Sequence, residues 1–382
     1  MINSTYCQNE KEREKMKKRH LLPILIFILA ASLFQPLFPQ DSQKSKTASP
    51  SFNEYQFVAR GKMSGQRRAR PDQIVRMDNN GEILLACIKP QTTDQLKAIG
   101  IIFFQSQLEL LIDWNLLVFN RKDNTYKTTI HIYGPEKASA IRSHVHSAVL
   151  RLSSVLNTDL LSLKSFLEKT HQEKSLFSIL YAYILHDYSM RQFGPEIYQK
   201  PQLTADFPFW NGFAWAIYPI KKFNIGVTAL PAKDNKVFLV SSPAVSRLGF
   251  QQLLSFVKDV SVDDKVDDPE LFKTCSAFGL CDDQGELTIP ILEGEWATKL
   301  ENMAKQVYAQ TVELAESLEM KEILSISTQA HATMFLHYEL RYAVLTLLLE
   351  TGFMKAPIDF ENADNNAPSD NGNLVFVVKQ NK

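Results

Sequence analysis

Two closely spaced cysteines are the first residues whose types suggest a specific chemistry. Cys275 and Cys281 bracket the segment CSAFGLC. In an oxidising compartment such a pair favours a disulfide, but a helix that carries Cys275 and ends near Cys281 would hold the two thiols too far apart to bridge. The sequence leaves both alternatives open, a disulfide or two buried free thiols. It shows no neighbouring Cys or His pair that would complete a zinc site.

An aromatic stretch at residues 207–218 contains the best candidates for a binding surface. In an extended strand, alternation places Phe209, Phe213 and Trp215 on one face and Trp210 and Tyr218 nearer the other. One face would belong to the core, and the other would stack on a partner or a sugar ring. The alternative is that both faces are buried between a sheet and helices.

A catalytic role is considered for His186, because Asp187 follows it and a carboxylate can orient an imidazole. The sequence pairs no nucleophile with this histidine. A second pattern, S-x-x-K at Ser255 with S-D-N at Ser369, resembles penicillin-interacting enzymes, but the K-T-G that should accompany them is absent. The sequence therefore assigns no catalytic residue.

Histidine pairs and an acidic run do not have the spacing of metal sites. His144 and His146 are two positions apart and point away from each other on a helix. His331 and His337, six apart, fail by the same geometry. The acidic run at residues 263–270 lacks the EF-hand pattern and is typical of a helix start, where the dipole favours negative charge. The sequence predicts no metal and no cofactor.

The segment Met16 to Gln40 decides the predicted compartment. A basic stretch precedes an apolar core, and Ala30-Ala31-Ser32 supplies the small residues that a signal peptidase requires. The apolar run Leu21 to Phe34 has 14 residues, fewer than the roughly 20 that span a bilayer. A cleaved signal is therefore favoured over an uncleaved inner-membrane anchor. In either case we expect an extracytoplasmic location, periplasmic or secreted.

Composition indicates a folded protein with no polyanionic partner. The 382 residues include 42 Lys and Arg and 42 Asp and Glu, so the formal net charge is zero. Hydrophobic residues make up 45 % of the chain, enough to fill more than one core. Only 14 residues are Gly, which argues against phosphate-cradling loops.

Hydrophobic spacing predicts a first folded unit at residues 79–200, after an export signal at 1–40 and a flexible basic linker at 41–78. Apolar residues three and four apart, together with strand-like runs, predict these elements: helices at 82–88, 94–99 and 104–117, a hairpin from 116 to 132, and a long amphipathic helix at 135–156. Residues 201–262 are predicted to form an aromatic β-meander and a helix.

The same order recurs in residues 263–382, which predicts a duplicated structural unit. A helix at 269–278 and a shorter hairpin precede a long helix at 293–318, and Thr288 aligns with Thr129. A further helix at 340–350 and a C-terminal hairpin that includes a strand at 374–379 are expected to complete this unit.

The order of three helices and a two-stranded wing in residues 82–133 resembles the winged helix-turn-helix superfamily, at the level of the fold alone. Its DNA-binding members carry Lys or Arg on the third helix and the wing. This sequence has neither Lys nor Arg between Lys97 and Arg121, and Asp282, Asp283 and Glu286 make the second wing acidic. The resemblance therefore implies a protein-interaction module, and no nucleic acid partner is expected.

The predicted fold class is α+β and helix-rich, with tandem winged-helix-like units linked by long amphipathic helices and a small antiparallel β-meander. The predicted function is an exported, non-catalytic protein that binds a protein or a cell-envelope component. Its membrane contact would be limited to residues 16–40, if they are not cleaved. The alternatives are an extracytoplasmic hydrolase with a site near His186 and residues 207–218, and a membrane-tethered winged-helix regulator.

Overall fold

The computed structural model is a helix-rich α+β protein whose sheets have two to four strands. It describes residues 50–65, 69–197, 200–221, 225–232, 235–241, 250–263, 265–360 and 365–379. The predicted export signal lies outside the described residues. Residues 50–382 form one unit by their contacts.

The first half of this unit is a three-stranded sheet with helices and a separate hairpin. Its elements are β1 (Gln56–Met63), α1 (Pro71–Val75), α2 (Asn80–Ala86), α3 (Thr93–Ala98), α4 (Gln105–Asp113), β2 (Leu117–Asn120), β3 (Thr125–Thr128), β4 (His131–Tyr133), α5 (Pro135–Lys169), α6 (Leu176–Ile179), α7 (Asp187–Phe193) and β5 (Trp210–Ile217). A π-helical turn, Leu180–Ile184, extends α6. In the sheet, β5 lies between β1, which is antiparallel to it, and β4, which is parallel.

The second half has a four-stranded sheet and the other long helices. Its elements are β6 (Gly226–Ala232), β7 (Asn235–Ser241), α8 (Phe250–Asp263), α9 (Pro269–Ala277), β8 (Ile291–Leu292), α10 (Glu295–Ser317), α11 (Met320–Leu324), α12 (Gln329–Glu350) and β9 (Val375–Lys379). The last strand again lies in the middle, because β9 pairs antiparallel with β7 and parallel with β8.

The two halves also match in the backbone around the helix that precedes the hairpin. After α4, the Leu116 amide donates to the Leu111 carbonyl over 2.9 Å, and after α9 the Leu280 amide donates to the Cys275 carbonyl over the same 2.9 Å. Both helices thus end in the same hydrogen-bonded cap. Thr129 then donates its hydroxyl to the Asn115 carbonyl over 2.7 Å. Its counterpart Thr288 donates to the Gly279 carbonyl over 2.9 Å.

One helix of the first half has no counterpart in the second. In the first half, a bridge between Gln91 and Tyr126 is followed by both α3 and α4. In the second half, the corresponding bridge between Lys265 and Glu286 is followed directly by α9. The second segment therefore lacks the three-helix order of the first, and the second winged-helix-like unit stays a prediction. For the first segment, the winged-helix resemblance stays a prediction.

Each half covers the sheet of the other. The ring of Trp215 on β5 lies 5.4 Å from the ring of Phe335 on α12. Reciprocally, Tyr183 in the π-helical turn lies 5.3 Å from Phe238 on β7. The helices α5, α10 and α12 pack against one another between these contacts. Because each half supplies a wall of the other's core, we expect the two halves to fold as one cooperative unit.

The strand pairings correct three predictions from the sequence: the linker, the meander and the C-terminal hairpin. The flexible linker at 41–78 is wrong for its described residues from 50 onward, which form β1 and α1 and bury Phe57 and Ile74. The meander at 201–262 is wrong because β5 belongs to one sheet while β6 and β7 belong to another. The C-terminal hairpin is wrong because β9 pairs with β7 and β8. In each case the strand's partner is distant in sequence, so local patterning cannot reveal it.

Candidate functional site

The five aromatic residues predicted to bind a partner lie in the core. Trp210, Phe213 and Trp215 are 2 %, 6 % and 0 % exposed, and Phe209 and Tyr218 are half-buried against the hydrophobic core of the first half. Alternation is correct for β5, since Trp210 faces that core and Trp215 faces α12. Phe209 departs from it, packing on Trp114 with a ring distance of 5.7 Å. The prediction of an exposed aromatic platform is therefore wrong.

Among the described residues, the most exposed large apolar side chains lie instead in the loop between α3 and α4. Ile99, Ile102 and Phe104, which we call the apolar tip, are 60 %, 80 % and 73 % exposed. Between them Ile101 and Phe103 turn inward and pack on the core. Large apolar side chains grouped on a surface mark an interaction site more often than single exposed ones do.

The apolar tip is held in a defined conformation by the helix ends on either side. A capping box between Thr92 and Gln95 starts α3. The helix ends where Gly100 adopts a φ of +84°, and the Ile101 amide donates to the Leu96 carbonyl over 3.0 Å. This arrangement needs a left-handed residue, which glycine adopts without a steric penalty. The side chains of the tip are thus exposed because the backbone at the end of α3 has a defined conformation, and not because the end of the helix is frayed.

Several, but not all, of the polar backbone groups of the tip have partners inside the protein. The Ile99 and Gly100 amides donate to the carbonyls of Gln95 and Lys97 over 3.1 and 2.9 Å. The side chain of Asn79 donates to the Ile102 carbonyl. The Phe104 amide donates to the Gln107 side chain over 2.8 Å. These bonds hold the backbone of the tip in one conformation.

The interior holds a second unusual feature, a charged pair that joins the two halves. Nζ of Lys221, just after β5, lies 2.7 Å from a carboxylate oxygen of Glu339 on α12, and their side chains are 11 % and 3 % exposed. The same Nζ lies 4.8 Å from the ring centroid of Tyr338 and 4.2 Å from that of Tyr342. A buried pair of this kind holds two segments in one register, because separating the charges in the interior is costly.

The environment of this pair shifts the pKa values of its members. Burial lowers the pKa of Lys221, and the Glu339 carboxylate offsets part of that effect. Burial raises the pKa of Tyr338, and the neighbouring Tyr342 raises it further. At Tyr342 burial acts in the same direction, but Arg341 and Lys221 outweigh it and lower the pKa. Since these groups lie between packed elements, we assign them a structural role.

Sequence reasoning missed both features, although each leaves a signal. Glu339 and Arg341 are charged residues inside an otherwise apolar stretch of α12, and such residues require a buried partner. Alternation between residues 101 and 104 places Ile102 and Phe104 on the face away from the core. The helix prediction at 104–117 obscured this second signal, because it assigned Phe104 to the helix's buried face.

The histidines that the structure describes do not assemble a metal site. His331 stacks on Phe213 with a ring distance of 4.2 Å, and His131 lies 5.6 Å from the same ring. Burial lowers the pKa of both imidazoles, and at His331 the nearby His131 adds to the effect. His144 and His146 are exposed on α5. Within the part of the chain that the structure describes, no group of three or more His, Cys, Asp or Glu residues could hold a metal ion.

Cys275 and Cys281 are free, buried thiols in the structure, which is the second of the two alternatives from sequence. Burial raises the pKa of Cys275 to about 12, with Cys281 as a further cause. Burial also raises the pKa of Cys281 itself. Thiols with such values are protonated at neutral pH and therefore poor nucleophiles.

His186, the residue considered for catalysis, lies beside Tyr181. Its ring is 6.2 Å from that of Tyr181, whose hydroxyl donates to the Ile225 carbonyl over 2.8 Å. The side chain of Asp187 lies outside the described residues. The hydrolase alternative stays a prediction that these contacts do not favour.

Compared with known protein families, curated proteins and solved structures, the chain has no significant match. The function is therefore argued from the residues alone. Among the described residues, none of the helices combines the length and the apolar character that a membrane span requires.

Proposed function

We propose that this protein is exported and acts without catalysis, by binding a protein or an envelope component through its apolar tip. The observation that carries the proposal is the exposure of Ile102 and Phe104, at 80 % and 73 %. Fully burying a side chain of this size stabilises a complex by roughly 1.5–3 kcal/mol. The tip thus offers binding free energy that the protein alone does not use.

The charge pattern supports this assignment. No charged residue occurs between Lys97 and Glu109, so the tip and the start of α4 are uncharged. Depletion of charge at the centre of a contact surface, with charged residues around it, is typical of protein interfaces. Export is supported by the predicted signal at residues 16–40, which places the tip outside the cytoplasm.

The first test combines topology with binding. The full chain is expressed in a Gram-negative host, and spheroplasts are treated with protease to establish on which side of the inner membrane the protein lies. Purified protein is then sedimented with the envelope fraction of the same host. We expect protease sensitivity in spheroplasts and co-sedimentation with envelopes.

A matched pair of variants assigns the binding to the tip. The double variant Ile102→Ser/Phe104→Ser should remain in the supernatant. The control Val155→Ser, which changes an exposed apolar residue on α5, should sediment like the wild type. Equal sedimentation of all three proteins, or a protein confined to the cytoplasm, would contradict the proposal.

A further inference from the structure

We infer that the outer edge of β1 binds an extended, acidic peptide segment, which adds a fourth strand to the three-stranded sheet. This surface, which we call the β1 edge, combines outward backbone groups of β1 with basic side chains around its end. It shares no residue with the apolar tip and takes a ligand of opposite character. Three observations carry the inference: an equivalent edge that is occupied, open backbone groups, and a cluster of cations.

The occupied equivalent is the outer edge of β7 in the second half. Strands β1 and β7 hold the same place in their sheets, because each pairs antiparallel with a central strand whose other neighbour is parallel. On its other edge β7 pairs antiparallel with β6, from Gly226 opposite Ser241 to Ala232 opposite Asn235. No described strand lies in that position beside β1. The comparison therefore identifies an antiparallel extended segment as a ligand that fits the β1 edge.

The outward backbone groups of β1 are open. In an antiparallel pair, every second residue bonds to the neighbouring strand and the residues between them point away from it. The Ser64 amide donates to the Phe209 carbonyl over 2.9 Å, so Lys62, two positions earlier in the same register, also bonds towards β5. The residues that point outward are therefore Ala59, Gly61 and Met63. Among the described residues, their outward groups have one contact, 3.4 Å from the Arg60 side chain to the Ala59 carbonyl.

Basic side chains from three segments surround the end of β1. Lys62 on β1, Arg191 on α7 and Lys200 before β5 are all exposed. Partial burial is the main cause that lowers the pKa of Lys200, and the positive charges of Arg191 and Lys62 lower it further. Within the part of the chain that the structure describes, none of the three side chains has a carboxylate partner. The three cations thus repel one another without compensation.

These grouped cations select an acidic ligand. A single lysine on an edge strand discourages pairing with other strands, but here two further segments bring cations to the same place. Opposite charges that face each other across paired strands are stabilising, whereas like charges are destabilising. Because β1 contains no Asp or Glu, an acidic strand meets no repulsion from it.

The pleat of β1 specifies the pattern of the ligand. Lys62 and Met63 point to opposite faces of the sheet, and Met63 is 43 % exposed. In an added strand, the residues that bond to Gly61 and Met63 place their side chains on the Met63 face. The residues between them lie on the Lys62 face. The ligand is therefore an extended segment that alternates apolar residues with Asp or Glu, a pattern typical of strand addition to a sheet edge.

Synthetic peptides test this pattern on the full chain. The probe is fluorescein-labelled Glu-Val-Glu-Val-Glu-Val-Glu, which has seven residues like β6, and fluorescence anisotropy reports its binding. One derivative is N-methylated at the valines, whose amides would face β1. A matched derivative is N-methylated at the inner glutamates, whose amides would point away. Hydrogen exchange of residues 56–65 is measured with and without the probe.

We expect the probe and the glutamate-methylated peptide to bind, and the valine-methylated peptide to bind about tenfold more weakly or not at all, because its main-chain hydrogen bonds are blocked. Binding of the probe should slow exchange at the amides of Gly61 and Met63. It should also weaken as salt is added, since exposed charges are screened.

Charge-reversal variants assign the binding to the cations. Lys62→Glu/Lys200→Glu should bind the probe about tenfold more weakly than wild type, and it should bind the reversed peptide Lys-Val-Lys-Val-Lys-Val-Lys more tightly. The control Lys169→Glu/Lys273→Glu makes the same change in net charge at exposed positions on α5 and α9. This control should bind the probe like the wild type.

Three results would overturn the inference. Failure of the wild type to bind the probe, or equal binding by the two charge-reversal variants, would exclude this site. Equal binding of the probe and the valine-methylated peptide would show attraction by charge without strand addition. Loss of probe binding in Ile102→Ser/Phe104→Ser would place the peptide on the apolar tip instead. Envelope sedimentation through the tip does not involve β1, so the proposed function stands or fails separately.

Discussion

The two halves of this protein share a topology but differ in what they present at the surface. In the first half, α3 and the apolar tip lie between the Gln91–Tyr126 bridge and α4. In the second half the Lys265–Glu286 bridge leads directly to α9, and exposed Asp267 and Asp268 occupy that stretch. The shared parts are backbone pairings and buried contacts. The exposed side chains of the apolar tip are therefore the part of the first half that an architectural role does not explain.

The comparison also shows why neither half is an independent domain. Trp215 of the first half packs on α12, and Phe238 of the second packs on Tyr183. A core wall supplied by the other half cannot form until both halves have folded. Variants at the contacts between the halves and at their matching positions test this interdependence and the equivalence of the two halves.

The largest effect is expected from the charged pair that joins the halves. Glu339→Gln leaves Lys221 buried without its counter-ion, and breaking such a pair costs about 3–5 kcal/mol. Chemical denaturation should show this loss in a single transition reported by both halves. The double variant Lys221→Met/Glu339→Gln should lose less than Glu339→Gln alone. Two separate transitions would show instead that the halves unfold independently.

The next effect tests the equivalent helix ends. Gly279 has a φ of +66°, and a Cβ there would meet the Ser369 carbonyl oxygen. Gly279→Ala should therefore lower the free energy of unfolding by roughly 2 kcal/mol or more, because alanine is strained in the left-handed conformation and its Cβ would be crowded. At the matching position the first half has Asn115, with a φ of 51°. Asn115→Gly should change the free energy of unfolding little, and a large loss there would contradict the equivalence.

A smaller and matched effect is expected at the two threonines. Thr129→Val and Thr288→Val each remove one hydroxyl that donates to the carbonyl at the end of the preceding helix. Each should lose about 1 kcal/mol, the net value of a typical hydrogen bond. Thermal or urea unfolding of the two variants should give similar losses. If only one of the two variants lost stability, the two halves would share the path of the backbone but not the energetic role of this hydrogen bond.

The smallest effect is a pH dependence of the free energy of unfolding. It arises from two histidines where β4 and β5 contact α12. The pKa values of His131 and His331 are lowered in the folded protein, mainly by burial. In the unfolded chain both take up protons near a pKa of about 6.5. Their contribution to stability is therefore present above that pH and is lost as the pH falls from there through the lowered folded values.

His331→Phe should flatten this dependence by keeping the stack on Phe213 without a titrating group. Unfolding measured between pH 7 and 5 should show a shallower decline than in the wild type, each removed shift being worth about 1.4 kcal/mol per pKa unit. The control His146→Asn, at an exposed position on α5, should follow the wild type. A wild-type stability that rises on acidification would contradict the argument.

Local patterning predicted two of the helices in the second half to within two residues at each end. The helix predicted at 293–318 is α10, Glu295–Ser317, and the one predicted at 269–278 is α9, Pro269–Ala277. The helix predicted at 135–156 is longer, since α5 runs to Lys169. The pattern continues there, with Leu160, Leu163 and Leu167 buried, but charged residues between them hide it from a short window.

The sequence by itself determined the helix-rich α+β class and the recurrence of helix, hairpin and long helix. Spacing of apolar residues and turn residues specifies these locally. Only the tertiary structure decided that β5 and β9 each occupy the middle of a sheet, that the aromatic residues of β5 are core, and that Ile102 and Phe104 face outward. The physical reason is that strand partners and burial depend on contacts between residues more than a hundred positions apart, such as Trp215 with Phe335, and no local period records them.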